Sequence, residues 1–140
     1  MNYVHKTFLR PRYADTDQMG IIHHAKYFEY FEMARTELLR SLDLPYAELE
    51  NQGFLLPLLS CYCKFIKPIK YDDLVRVETL METKSGARIK LTYKIYREEG
   101  NMLLAEGYTE HSWVKKENLK PIRPPKIFLD VINKSSSSND

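Results

Sequence analysis

The sequence contains few cysteines and no long apolar segment. Its two cysteines, Cys61 and Cys63, flank Tyr62 in a strand-like run, and a single Cys-x-Cys pair is typical neither of a zinc site nor of a disulfide framework. We interpret both thiols as small core residues. No stretch approaches the roughly 18 apolar residues of a membrane span, and the first residues lack the apolar core of a signal peptide. These absences predict a cytoplasmic protein without an integral membrane segment.

An excess of charge of one sign is also missing. The formal net charge is +2, which argues against general nucleic-acid binding, although a few clustered cations suffice for a small phosphate-bearing ligand. There is no internal repeat. A chain of 140 residues with 44% hydrophobic content predicts a single domain with a substantial core, which we place at residues 1–132. The serine-rich segment 133–140 is expected to be a disordered tail.

Hydrophobic periodicity predicts one long helix and several strands. Apolar residues recur at helical spacing from His24 to about Leu42, and strand-like segments precede and follow this run. The expected strands are residues 3–12, 54–69, 74–84, 87–98 and 102–116. The expected apolar face of the helix is formed by Tyr27, Phe28, Phe31, Ala34, Leu38 and Leu42. This order predicts an α+β fold in which an antiparallel sheet wraps around one long central helix.

Arg35 falls inside the apolar sector of the predicted helix. Glu32 lies three positions earlier, a spacing at which opposite charges meet on a helix surface. We interpret the two residues as a partly buried structural ion pair rather than as catalytic groups.

Residues suited to chemistry are concentrated just ahead of this helix. Asp15 and Asp17 are one residue apart, so that one carboxylate can react while the other positions it. Gly20 supplies a turn, and the first backbone N–H groups of the following helix are free to bind an oxyanion. The alternative is that both aspartates are turn or capping residues. A calcium loop is excluded, because its fifth and twelfth positions hold Met19 and Lys26.

Four segments with characteristic motifs occur in order along the chain: Asp15–Tyr27, Tyr30–Glu37, Lys64–Pro68 and Tyr71–Asp73. Together they resemble the 4-hydroxybenzoyl-CoA thioesterase family of hotdog-fold hydrolases, in particular its bacterial acyl-CoA thioesterase branch associated with the Tol-Pal system. The resemblance extends from about Arg10 to Pro125. One position departs from the family pattern, since the residue before Tyr27 is commonly Asn or Ser and here is Lys26.

The resemblance implies a hotdog fold and the hydrolysis of acyl-CoA to a free acid and CoA, with no metal and no cofactor besides the CoA of the substrate. It implies that Asp17 is the general base or nucleophile and that the backbone N–H of His24, at the helix start, polarises the thioester carbonyl. We predict further substrate contacts from Gly20, His23, Tyr27, Phe28 and Phe31. The residues expected to bind the CoA phosphates are Lys64, Lys84 and Arg88.

Partners follow from the same resemblance. It implies a homodimer, or a dimer of dimers, that forms by joining open sheet edges and places the sites between subunits. An acyl carrier protein is a further candidate partner, and nucleic acid is not expected. Two other functions stay open. A hotdog hydratase would need His five residues after Asp17, where Ile22 stands and His23 follows one place late. A non-enzymatic acyl-carrier or envelope-associated binding module would show no turnover.

Overall fold

A computed structural model describes residues 2–83 and 86–138 of the chain. The strands are β1 (Asn2–Leu9), β2 (Phe54–Leu55), β3 (Leu58–Phe65), β4 (Val75–Thr83), β5 (Arg88–Arg97), β6 (Met102–Ser112) and β7 (Val114–Lys115). The helices are α1 (Lys26–Ser41), α2 (Tyr46–Asn51) and α3 (Lys126–Ser138), with 3-10 turns at Tyr13–Asp15 and Glu99–Asn101. None of the helices that the structure describes is both long and apolar enough to cross a membrane.

Five strands form one antiparallel sheet in the order β1-β4-β5-β6-β3, and β2 pairs with β7 in a small second sheet. Strand β5 alternates as its sequence predicts, because Ile89, Leu91, Tyr93 and Ile95 are buried while the residues between them face outward. Helix α1 packs its apolar face against this sheet. The predicted hotdog arrangement, a sheet around one long helix, is confirmed.

Helix α1 begins two residues later than predicted, at Lys26. Five of the six residues predicted for its apolar face are buried, whereas Phe28 is half-buried. Tyr30 and Leu39 are buried as well. The buried arc is wider than a single stripe because the helix also contacts α2 and the segment that precedes it, not the sheet alone.

The strand predicted over residues 54–69 is interrupted at Leu56 and Pro57. Proline has no backbone N–H and cannot donate to a sheet ladder, so regular strand pairing is interrupted at Pro57. The part before the break pairs with β7, and the part after it, β3, pairs with β6.

Strand β3 lies at an outer edge of the sheet and is exposed along nearly its whole length. Leu58, Tyr62 and Phe65 are each about half exposed, at 52%, 48% and 49%. Cys61 is exposed too, so the prediction that it is a core residue is wrong. Cys63 is partly buried, and this burial raises the pKa of its thiol to about 11.

Arg35 takes part in a buried chain of polar groups. Within the described residues it forms no ion pair with Glu32, and it donates instead to the Tyr93 hydroxyl at 3.3 Å. That hydroxyl lies 2.7 Å from Oγ1 of Thr109, which in turn is 2.9 Å from Nε2 of His111. The prediction of a Glu32–Arg35 ion pair is therefore wrong, because the Arg35 side chain reaches inward to the Tyr93 hydroxyl on β5.

The C-terminal helix α3 is absent from the sequence prediction. Phe128 and Ile132 are buried on it, and the Phe128 ring lies 4.8 Å from that of Trp113. The backbone remains helical through Ser138, where a disordered tail from residue 133 was expected. Two apolar anchors one turn apart hold the helix on the core, and serines can extend a helix that packing has already nucleated.

Candidate active site

The segment between β1 and α1 folds into a tight loop that carries Asp17. The Asp17 N–H donates to the Ile21 carbonyl at 2.8 Å, and the Gly20 N–H donates back to the Asp17 carbonyl at 3.1 Å. Gly20 has a φ of 79°, a left-handed conformation that costs glycine little and other residues more. Gly20 therefore closes the turn that presents Asp17.

One oxygen of the Asp17 carboxylate is held by its own loop. Oδ1 accepts the Met19 N–H at 2.8 Å, which fixes the side-chain direction. Within the described residues, no donor to Oδ2 is found. The carboxylate is thus oriented through one oxygen and free to react through the other.

Asp17 lines an open cavity of about 290 Å³. The cavity lies between the loop, the start of α1 and the end of β3, and most of its walls are apolar. The residues that line it are Asp17, Met19, Ile21, Ile22, His24, Tyr27, Phe65, Ile66, Lys67 and Pro68. Three predicted site residues, Asp17, His24 and Tyr27, are therefore brought together.

His24 lies in the turn that leads into α1, since the helix itself begins at Lys26. Its backbone N–H donates to no protein acceptor in the part of the chain that the structure describes. The neighbouring His23 N–H is bound to the Asp15 carbonyl at 2.8 Å. A free donor beside the positive end of a helix dipole is suited to a carbonyl oxygen that gains negative charge.

Aromatic rings form one wall of the cavity. The Phe65 ring makes T-shaped contacts with the rings of Tyr27 and His24, with centroids 4.7 Å and 6.4 Å apart. Sequence reasoning did not assign Phe65 to the site. Phe65 lies in the segment Lys64–Pro68, which carried the family resemblance, but only the fold shows that the end of β3 reaches the start of α1.

Asp15 has a different environment from Asp17. Its side chain is buried, at 3% exposure, and it accepts hydrogen bonds from the Tyr30 hydroxyl at 2.7 Å and from the backbone and guanidinium of Arg12 at 3.2 Å each. Burial alone would raise the pKa of this carboxyl, but these hydrogen bonds and the charge of Arg12 outweigh it and hold the pKa below its ordinary value. Asp15 is therefore an ionised, buried anchor outside the cavity.

Lys26, which departs from the family pattern, lies beside this anchor. Its ammonium is 3.0 Å from the Glu29 carboxylate and 4.0 Å from that of Asp15. It is not among the residues that line the cavity. The lysine thus adds positive charge near Asp15 rather than a wall to the cavity.

The other predicted substrate contacts lie away from the cavity. Phe31 is fully buried and stacks on Tyr93 with ring centroids 4.3 Å apart. Phe28 packs edge-on against Phe31 at 5.8 Å, and His23 is exposed beside His24. Gly20 contributes its turn conformation without lining the cavity.

The predicted CoA-binding residues are not brought together within one chain. Lys64 pairs in register with Glu106, whereas Arg88 pairs with Ser112 near the opposite end of β6. These positions are about 20 Å apart along the strand. Arg88 lines a second cavity, of about 420 Å³, next to Leu59. Lys84 lies outside the described residues.

No group of three or more His, Cys, Asp or Glu side chains within residues 2–83 and 86–138 is arranged to hold a metal ion. The groups that this cavity offers include the Asp17 carboxylate, the free His24 backbone N–H, the cationic residue Lys67 and a largely apolar wall. This combination is suited to attack on a carbonyl group.

Comparison with known proteins confirms the predicted superfamily. Residues 11–132 match the thioesterase-like superfamily. YneP of Bacillus subtilis is 35% identical over 91% of this chain and 92% of its own length. The acyl-CoA thioesterase YbgC of Haemophilus influenzae is 32% identical over 84% of this chain and 86% of its own length. The crystal structure of DHNA-CoA thioesterase from Staphylococcus aureus, 32% identical, matches with a TM-score of 0.87 over 97% of this chain and 93% of that chain. The chain therefore belongs to the thioesterase-like superfamily.

Proposed function

We propose that this protein hydrolyses acyl-CoA thioesters to a free acid and CoA. The observation that carries this proposal is the meeting of the Asp17 carboxylate and the free His24 N–H at one largely apolar cavity. Relatives that are at least 30% identical over most of the chain include the acyl-CoA thioesterase of Haemophilus influenzae. The motifs further support membership of the bacterial branch associated with the Tol-Pal system.

In the proposed reaction, the thioester carbonyl oxygen accepts the His24 N–H, and Asp17 acts through Oδ2. Asp17 either takes a proton from the attacking water or attacks the carbonyl carbon itself, because both routes need the same ionised carboxylate. In both routes the tetrahedral intermediate expels the CoA thiolate. In the direct route this leaves a mixed anhydride on Asp17, which a water molecule then hydrolyses to release the acid and restore the carboxylate. A thiolate is a good leaving group, so the reaction proposed here requires neither a metal nor a cofactor besides the CoA of the substrate.

The acyl group is proposed to occupy the apolar part of the cavity. Tyr27, Phe65 and Ile66 supply a wall that accepts aromatic or aliphatic chains by contact area alone. Phe28 packs on Phe31, and Phe31 lies below Gly107 of β6, so any influence of these two residues on the substrate is indirect. His23 packs on His24 and would influence the orientation of that residue.

A homodimer is proposed to complete the site. Strand β3 presents an unpaired edge with exposed apolar side chains, which favours pairing with a second copy of itself. Antiparallel pairing of two β3 edges would place the Leu58 end of one copy against the Phe65 end of the other. Arg88 and its cavity next to Leu59 would then approach the Asp17 cavity of the second copy. Sedimentation equilibrium tests this, since a monomer at micromolar concentration would contradict it.

This geometry gives the predicted CoA contacts a role. Lys64 from one copy and Arg88 from the other would hold the CoA phosphates, with Lys84 as a further candidate. We propose a single domain at residues 1–132, a cytoplasmic location, and acyl carrier protein as an alternative carrier of the acyl group. The formal charge of +2 supports a small anionic ligand rather than nucleic acid.

The proposal is tested by thiol release from a panel of acyl-CoA substrates that vary in chain length and aromaticity. Asp17→Asn should lower kcat by roughly 10² to 10⁴ fold, because an amide keeps the shape but is neither base nor nucleophile. Circular dichroism should show an unchanged fold. Asp130→Asn, an exposed carboxylate on α3, is the matched control and should keep wild-type turnover. Near wild-type activity in Asp17→Asn would remove Asp17 from the mechanism.

A further inference from the structure

The contact between Asp15 and Tyr30 lies behind the cavity and touches none of it. Both side chains are 3% exposed, and the Tyr30 hydroxyl donates to Oδ2 of Asp15 at 2.7 Å. Neither residue lines the Asp17 cavity. A direct contact with substrate is therefore not the reason for this buried pair.

Asp15 joins three parts of the chain that surround the cavity. Its side chain accepts the backbone N–H of Arg12, before the loop, and the hydroxyl of Tyr30, inside α1. Its backbone carbonyl accepts the His23 N–H at 2.8 Å, at the far end of the loop. Asp15 is thus bound to the entry of the loop, to its exit and to the helix that follows.

The two proposed reactive groups lie immediately beside these attachments. Asp17 is two residues after Asp15, and the His24 N–H belongs to the residue after His23. The Asp15 carbonyl accepts from His23, whereas the Asp15 side chain is fixed to α1 through Tyr30. A shift of Asp15 relative to α1 would therefore change the distance from the Asp17 carboxylate to the His24 N–H.

We propose that Asp15 and Tyr30 form a positioning pair that sets the separation between the Asp17 carboxylate and the His24 N–H. This inference rests on the proposed thioester hydrolysis. The Asp15 carboxylate stays charged in its buried place because Arg12 contacts it at 3.2 Å and the Lys26 ammonium lies 4.0 Å away. A charged acceptor makes the hydrogen bond from Tyr30 stronger and more directional than a bond between neutral groups.

Tyr30→Phe tests the pair, because it removes the hydroxyl and keeps the ring that packs in the core. Displacement of reacting groups by about 1 Å can cost up to ~10² fold in rate. We therefore expect kcat for acyl-CoA to fall by about tenfold or more, with KM changed by less than about twofold. Hydrogen exchange followed by mass spectrometry should show faster exchange over residues 12–24.

Tyr93→Phe is the matched control. Tyr93 is also a fully buried tyrosine whose hydroxyl is hydrogen-bonded, but it lies on β5, and its hydroxyl partners, Thr109 at 2.7 Å and Arg35 at 3.3 Å, lie on β6 and α1 rather than in the loop. The Tm of the Tyr93→Phe variant should fall by an amount similar to that of Tyr30→Phe. Its kcat and its hydrogen exchange over residues 12–24 should stay at wild-type values.

A double-mutant cycle with Asp15→Asn completes the test. If the two residues act as one unit, Asp15→Asn/Tyr30→Phe should lose little more kcat than Asp15→Asn alone. The inference is overturned if Tyr30→Phe keeps kcat within about twofold of wild type, or if exchange over residues 12–24 is unchanged. If the wild-type protein hydrolyses no thioester, the proposed function fails and the inference fails with it. If only the Tyr30→Phe result is negative, the proposed function is unaffected.

Discussion

At the scale of single residues, neighbouring side chains of the same type have opposite environments. Asp15 is buried and anchored by Tyr30 and Arg12, whereas Asp17 is partly exposed at the cavity. The difference arises because Asp15 ends a 3-10 turn packed below α1, while Asp17 begins the turn that Gly20 closes. The Asp-x-Asp spacing therefore places a buried anchor, Asp15, beside the carboxylate that is proposed to react, Asp17.

Gly107 in β6 allows a close approach of the sheet and helix α1. A Cβ on this residue would collide with the Tyr62 carbonyl of β3 and would lie 2.9 Å from the Phe31 ring of α1. We predict that Gly107→Ala lowers the free energy of unfolding by about 3 kcal/mol, because strand and helix must both move apart. Chemical denaturation measures the change.

The matched control for this prediction is Gly53→Ala. Gly53 has a φ of 91° and nothing within 4 Å of an added Cβ, so only backbone strain of about 1 kcal/mol is expected. If Gly107→Ala were no more destabilising than Gly53→Ala, the packing of Phe31 below β6 and β3 would be looser than described.

At the scale of elements, periodicity predicted most of the fold because most elements bury one regular face. Strand β5 alternates strictly, and α1 follows helical spacing, so both were predicted from residue type alone. Helix α3 was missed because its apolar run is short and ends in serines, although Phe128 and Ile132 are buried and Ile127 and Val131 pack partly against the core. The break at Pro57 was missed because apolar residues continue on both sides.

The candidate site was predictable only where its residues are close in sequence. Asp17, His24 and Tyr27 lie within one short segment, and the structure brings them together. Phe65 joins them through the pairing of β3 with β6, a long-range contact that local patterns do not encode. Arg35 was misassigned for the same reason, since its partner Tyr93 lies on a distant strand.

The buried chain that connects α1, β5 and β6 predicts a pH-dependent stability. Burial, together with the nearby Arg35 guanidinium, lowers the pKa of His111 from 6.5 to about 4. Between these values the unfolded chain binds a proton at this histidine and the folded chain does not, so stability falls as pH falls. From pH 6.5 to 4 the loss should reach about 3 kcal/mol.

Urea denaturation at several pH values checks this expectation. In His111→Gln, the free energy of unfolding should change much less between pH 6.5 and 4 than in the wild type, because the substituted side chain does not titrate. His23→Gln, at an exposed position, should keep it. A wild-type protein with constant stability over this range would contradict the expectation, because it would show that folding does not change the number of bound protons.

At the scale of the whole molecule, the two ends of the open β3 edge lie near different features. Phe65 at one end reaches the Asp17 cavity, whereas Leu58 at the other end lies toward Arg88, about 20 Å away. In an isolated chain this arginine cannot serve the cavity. In the proposed dimer it belongs to the site of the second copy.

Arg88→Glu should therefore raise KM for acyl-CoA by about tenfold, since a charge-assisted contact with phosphate contributes about 1.5 kcal/mol or more. KM for an acyl-pantetheine thioester, which lacks the nucleotide, should change little. High salt should reduce the difference between the effects of Arg88→Glu on the two KM values, because salt screens the contact with phosphate. Steady-state kinetics with both thioesters measure the effect.

Lys94→Glu is the control for this prediction, because Lys94 is an exposed cation on the same strand, opposite Glu78 and Glu106. It should leave both KM values unchanged. If Arg88→Glu raised KM equally for both thioesters, Arg88 would act through the fold rather than on the nucleotide.

The exposure of β3 has a consequence for how the rate of hydrolysis depends on the concentration of the protein. If each cavity is finished by the facing copy, separated chains are folded but incapable of turnover, and the active fraction follows mass action. Rate per chain would then rise with protein concentration until association is complete. Dilution alone would then abolish turnover. A rise in the concentration of the chain would increase the total rate of hydrolysis more than in proportion to that concentration.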